Sequence, residues 1–90
     1  MSYRHHLAQL ESFSTSAAVY TFTPDSITCA HWGRVEFDLT DFSHRITELA
    51  PDPNAPDVWQ QRICSVLAHR LRQARTAEPE LVPKTLEFVV

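Results

Sequence analysis

One glycine and two cysteines in 90 residues exclude several kinds of chemistry before any motif is considered. The lone glycine, Gly33, leaves no material for a glycine-rich phosphate loop or a G-x-S-x-G nucleophile elbow. Cys29 and Cys64 are too few for a disulfide scaffold. No apolar run approaches the ~18 residues that a membrane span needs. The opening stretch MSYRHHLAQLESF is basic but has no apolar core or cleavage site, so no secretory signal is expected and the cytoplasm is the expected compartment. A formal charge of -3 gives no bulk attraction to nucleic acid or to an anionic membrane. Lysine is nearly absent: seven arginines stand against Lys84 alone, a codon-level hint of a bacterial or phage genome.

What is present is enough for one core. A chain of this length buries roughly 60–65% of its unfolded surface, and with 43% hydrophobic residues it has apolar material for one small domain over residues 1–90. Tyr3, Leu7 and Leu10 recur at i, i+4, i+7 and predict a helical segment within residues 1–16. Residues 17–40 read as a three-strand β-meander. Pro24, Asp25 and Ser26 suit a turn that closes Phe22 on Ile27. A second loop, His31-Trp32-Gly33 with glycine in the left-handed position, closes Ala30 on Arg34 and sets Cys29 opposite Val35. Both turns place Tyr20, Phe22, Ile27, Cys29, Val35, Phe37 and Leu39 on one apolar face, with Thr28, Ala30, Arg34, Glu36 and Asp38 on the other.

Phe42, Ile46 and Leu49 again recur at i, i+4, i+7, predicting a short helix over 41–50 capped by Thr40 or Asp41. A proline-rich connector, 51–56, leads to a long helix over 57–77, with Asn54 and Asp57 as a weak capping pair. Its apolar stripe is Trp59, Ile63, Val66, Leu67, Leu71 and Ala74. Residues 85–90 alternate Leu86, Phe88 and Val90 and predict a final strand. The expected class is α+β: an antiparallel meander plus a C-terminal strand, with one long and one or two short helices on one face. That last strand pairs with the first or third strand, or extends the sheet of a second copy as a homodimer.

Functional candidates are few. Cys29, His31, His44, Cys64 and His69 are metal-ligand types, but no CxxC or HxxxH pair organises them, so neither a metal nor a cofactor is expected. Cys64 and His69 lie five apart on the helix and do not face one another well. No catalytic residue is assigned, and the chain is expected not to be an enzyme. Trp32 at a turn tip, beside His31 and Arg34, carries the residue types enriched at protein interfaces. The leading expectation is therefore a small regulator, inhibitor or immunity-type protein that binds another protein through Trp32, His31 and Arg34. The alternative is a nucleic-acid-binding strip of Arg62, His69, Arg72 and Arg75 on the long helix. A metal- or thiol-dependent enzyme is the third.

Overall fold

The computed structural model describes residues 5–24 and 30–89. Five strands and one helix follow in the order β1 (His5–Phe13), β2 (Ala17–Thr23), β3 (Gly33–Asp38), β4 (His44–Glu48), α1 (Asp57–Ala77) and β5 (Thr85–Val89). All strand pairs are antiparallel, and the sheet order is β4-β3-β2-β1-β5. The α+β class expected from the sequence is what the chain adopts. Four strands form a meander, and the fifth reaches the far edge only after α1 has crossed the sheet.

Alternation along the strands decides which side chains meet the helix. Ala8 on β1, Ala18, Tyr20 and Phe22 on β2, Val35 and Phe37 on β3 and Leu86 on β5 are buried. From α1 come Ile63, Cys64, Leu67, Ala68 and Leu71. The small side chains matter here. Ala8 and Ala18 facing Cys64 and Ala68 in one cluster let the helix lie close to the sheet, and Tyr20 and Phe37 fill the remaining depth edge to face, 5.5 Å between centroids. The other sheet face has no helix on it and carries ion pairs, Arg34 to Glu11 at 2.7 Å and to Glu48 at 3.3 Å, and Arg45 to Glu36 at 3.8 Å.

Three sequence expectations change. Residues 5–13 are strand β1 rather than a helix, because the segment lies between β2 and β5 and both pair with it. Pairing on two sides outweighs the chance helical spacing of Tyr3, Leu7 and Leu10. The short helix expected over 41–50 is strand β4. Thr40 and Asp41 do not cap it; their N–H groups donate to the Asp38 carboxylate, at 2.7 and 3.1 Å, in a turn that carries Phe42 at φ 60°. Ile46 packs on the core, while Leu49 is exposed.

The third correction concerns the meander. β2 pairs directly with β3, Tyr20 opposite Val35 and Phe22 opposite Gly33, and Val35 has Ile46 on its other side. The expected partners Cys29 for Val35 and Ile27 for Phe37 are thereby displaced. Asp25, Ser26, Ile27, Thr28 and Cys29 lie outside the described residues, and so does the inward orientation expected for Cys29. Gly33 is not left-handed; no glycine has positive φ. It is the first residue of β3, and a Cβ there would sit 2.5 Å from Glu48 O, 2.7 Å from Ala50 N and 2.7 Å from Phe22 Cε1. Glycine is needed for close approach, where the chain leaving β4 passes over β3.

The long helix begins at Asp57, after Pro56 and without a side-chain cap; Asn54 instead donates its N–H to Asp52 Oδ1 at 2.9 Å. Its buried stripe is turned from the expected one toward Gln60, Cys64 and Ala68, leaving Trp59, Val66 and Ala74 half-buried. Gln60 is the polar residue that this rotation buries. Its Nε2 donates to Ala50 O at 2.9 Å and Ala55 O at 2.8 Å, and its Oε1 accepts from Ala50 N–H at 2.8 Å. Three backbone groups of the proline-rich connector thus find partners away from water. At the other end of α1, Arg75 donates to Leu81 O at 2.8 Å and the Tyr20 hydroxyl to Pro83 O at 2.6 Å, fixing the route into β5.

Two substitutions test these contacts by thermal or urea unfolding. Gly33→Ala is expected to destabilise the fold by about 1–3 kcal/mol, since two of the three blocking atoms are backbone; an unchanged midpoint contradicts the close approach. Gln60→Leu, of similar size, is expected to cost about 2–4 kcal/mol by orphaning buried connector groups. A loss under about 0.5 kcal/mol would show that water reaches those groups.

Candidate functional site

At the end of the sheet where β1 begins and β5 finishes, aromatic side chains gather around the first turns of α1. His6 is buried; its Nδ1 donates to Pro24 O at 2.9 Å. Its ring stacks on Phe88, 6.3 Å between centroids and 12° between planes, and meets Trp59 edge-on at 6.4 Å. The Arg70 guanidinium lies over the Phe88 ring, 5.3 Å from its centre. Between them opens an apolar pocket of about 130 Å³ lined by His6, Trp59, Arg62, Ile63, Val66 and Phe88.

The pocket borders the free end of the sheet order, at β5. Leu10 N–H donates to Lys84 O at 2.8 Å, and this pair belongs to the β1–β5 register. Even-numbered positions of β5 therefore turn their backbone groups toward β1, and odd-numbered positions, Thr85 among them, turn theirs to the outer edge. The opposite edge is built differently. β4, as long as β5 at five residues, has an irregular register opposite Arg34 and Val35 and exposed Arg45 and Glu48. These are devices that discourage a further strand.

The residues expected to bind a protein fall into different settings. Trp32 and His31 are half-buried in the β2–β3 connection rather than at an exposed tip. That connection leaves the sheet at the same end as the pocket, since Pro24 is held by His6. Arg34 lies on the helix-free sheet face between Glu11 and Glu48, and its hydrogen bond to the Glu11 carboxylate shifts its pKa further upward.

Three of the nucleic-acid candidates are exposed on α1: Arg62 borders the aromatic pocket, and His69 and Arg72 line a polar hollow of about 220 Å³ with Asp41, Phe42, His44 and Ser65. Arg75 is engaged with Leu81 O. Among the metal candidates, His44 bonds Gln61 at 2.9 Å and His69 bonds Gln73 at 3.2 Å. No group of three His, Cys, Asp or Glu side chains suited to a metal ion occurs among the described residues.

No sequence pattern marks the aromatic pocket as a unit: the spacing around His6 predicts a helix, and Trp59 falls in the apolar stripe of the long helix. Only the contact of β5 with β1 brings Phe88 to His6. The alternation of Leu86 and Phe88 was the available signal for that strand.

Cys64, which is not part of the apolar stripe read from the sequence, is fully buried, with burial pushing its thiol from 9.0 up to about 12. The Tyr20 hydroxyl also rises, from 10.0 to about 12, through burial and against the charge of Arg75. Both groups keep their protons in the fold at pH values where the unfolded chain releases them. The stability these two groups contribute is therefore fully present below pH 9 and is lost as pH rises from 9 toward 12. Urea midpoints across that window check this: Cys64→Ala combined with Tyr20→Phe should flatten the decline, and an equally steep decline contradicts it. Compared with known proteins, the chain matches no family model, no curated protein and no solved structure.

Proposed function

We propose that this chain acts by binding another protein, as a small non-catalytic regulator or inhibitor in the cytoplasm, and that the contact is made at β5. The observation that carries the reading is the coincidence of a sheet edge with an apolar pocket beside it. An extended segment of a partner adds to β5 through backbone hydrogen bonds and places a side chain among Trp59, Ile63, Val66 and Phe88. Half-buried aromatic rings next to arginine are the composition from which binding hot spots are made. The buried, proton-retaining thiol of Cys64 disfavours thiolate chemistry at that residue. No helix among the described residues is long and apolar enough to cross a membrane.

The surface at Trp32, His31 and Arg34 is the competing contact, and one experiment separates the readings. Tagged chain is used to capture its partner from the native host, as wild type and as Phe88→Ala, Trp32→Ala and Arg62→Glu/Arg72→Glu variants, each checked by melting. Loss of a protein partner with Phe88→Ala but not with Trp32→Ala is the expected result. Loss only with Trp32→Ala transfers the contact to the β2–β3 connection. Recovery of nuclease-sensitive material, abolished by the double arginine variant and by salt, overturns the reading in favour of nucleic acid.

A further inference from the structure

Resting on the reading of β5 as a docking edge, the geometry points to the kind of segment it takes: we infer that the partner strand carries a bulky apolar or aromatic side chain flanked by carboxylates. Arg62 is the only charged side chain among the described residues lining the pocket. Arg70 stands over Phe88 at the same margin, so two guanidinium groups bracket an otherwise apolar site.

Among the described residues, no carboxylate answers them. No ion pair holds Arg62 or Arg70 among the described residues; Arg70 reaches only the Gln73 amide oxygen, at 3.4 Å. Glu87, the acidic residue of β5, is paired opposite Leu7 and so belongs to the helix-free face of the sheet. The contrast with Arg34 and Arg45 is informative, since those arginines are matched by Glu11, Glu48 and Glu36. Among the described residues, the positive charge next to the pocket is left for the ligand.

The chemistry of recognition follows. An apolar residue enters the pocket, and acidic neighbours along the same extended segment meet Arg62 on one side and Arg70 on the other. A guanidinium pairs with carboxylate in a two-pronged geometry and also stacks on an aromatic face, so Arg70 holds Phe88 and a ligand carboxylate together. A basic segment would be repelled, and a neutral one would keep the apolar contact alone. Apolar burial then sets affinity, and charge sets which segment is chosen.

Three labelled, end-blocked peptides test this by fluorescence anisotropy: acidic DDTFVDD, neutral SSTFVSS and basic KKTFVKK. The acidic peptide is expected to bind about tenfold more tightly than the neutral one at low salt, two partly exposed ion pairs being worth about that factor. The gap should narrow at 0.5 M salt, where such pairs are screened. Arg62→Glu, at an exposed position, should abolish the preference, so that the acidic peptide binds no more tightly than the neutral one; Arg70→Glu should act in the same direction. Neutral or basic peptide binding as well as the acidic one overturns the inference while the docking edge stands. Binding by none of the three overturns the docking edge itself. Size-exclusion chromatography alongside reads the other occupant: a stable dimer that Phe88→Asp converts to monomer assigns the pocket to a second copy and overturns the inference.

Discussion

The passage of α1 across one face of the sheet is the constraint on which the rest depends. β4 and β5 stand at opposite edges of a five-stranded order, so the chain must travel the full width of the sheet between them. A helix of 21 residues covers that distance and buries its stripe on the way. Everything near it adjusts to the crossing. Gly33 makes room where the chain lifts off β4, Gln60 ties the proline-rich connector to the helix, and Arg75 and Tyr20 hold the descent into β5.

That route also determines what is left exposed. Because the chain arrives at β5 last, the strand occupies an edge, with β1 on one side and the start of α1 above it. The two edges then have unequal character. β4 is irregular in register and carries Arg45 and Glu48, whereas β5 presents Phe88 beside Trp59 and His6. In the proposed reading, the edge beside the aromatic rings is the one that docks a partner, and the arginines around Phe88 give it selectivity.

Much of the fold was legible because strand and helix periods are local. Tyr20, Phe22, Val35, Phe37 and Leu39 were assigned to one face through an intermediate strand that the structure does not place between them. The assignment survived because each strand alternates on its own, and pairing Tyr20 with Val35 keeps the same parity. The long helix was legible from its apolar repeat, although the buried side turned toward Gln60, whose amide serves a connector whose course no periodicity reveals. β1 and β4 were illegible for a shared reason: each has a weak apolar pattern and owes its strand state to neighbours remote in sequence. Gly33 was singled out as a special position, but for its dihedral freedom rather than for the space that β4 and Ala50 deny a side chain. The pocket requires three segments to be placed at once, so the sequence offers Trp59, Ile63, Val66, Arg62 and Phe88 only in separate contexts.

The location of β5 bears most directly on this account, and cross-strand proton contacts in a nuclear Overhauser spectrum of isotope-labelled chain measure it. The register places Leu7 opposite Glu87 and Gln9 opposite Thr85 in the wide pairs of the ladder, where α-protons face each other. Strong Hα–Hα contacts for both pairs are the predicted result. Contacts from Thr85 and Glu87 to Arg45 or Thr47 instead would put β5 beside β4, and would contradict both the crossing and the docking edge derived from it.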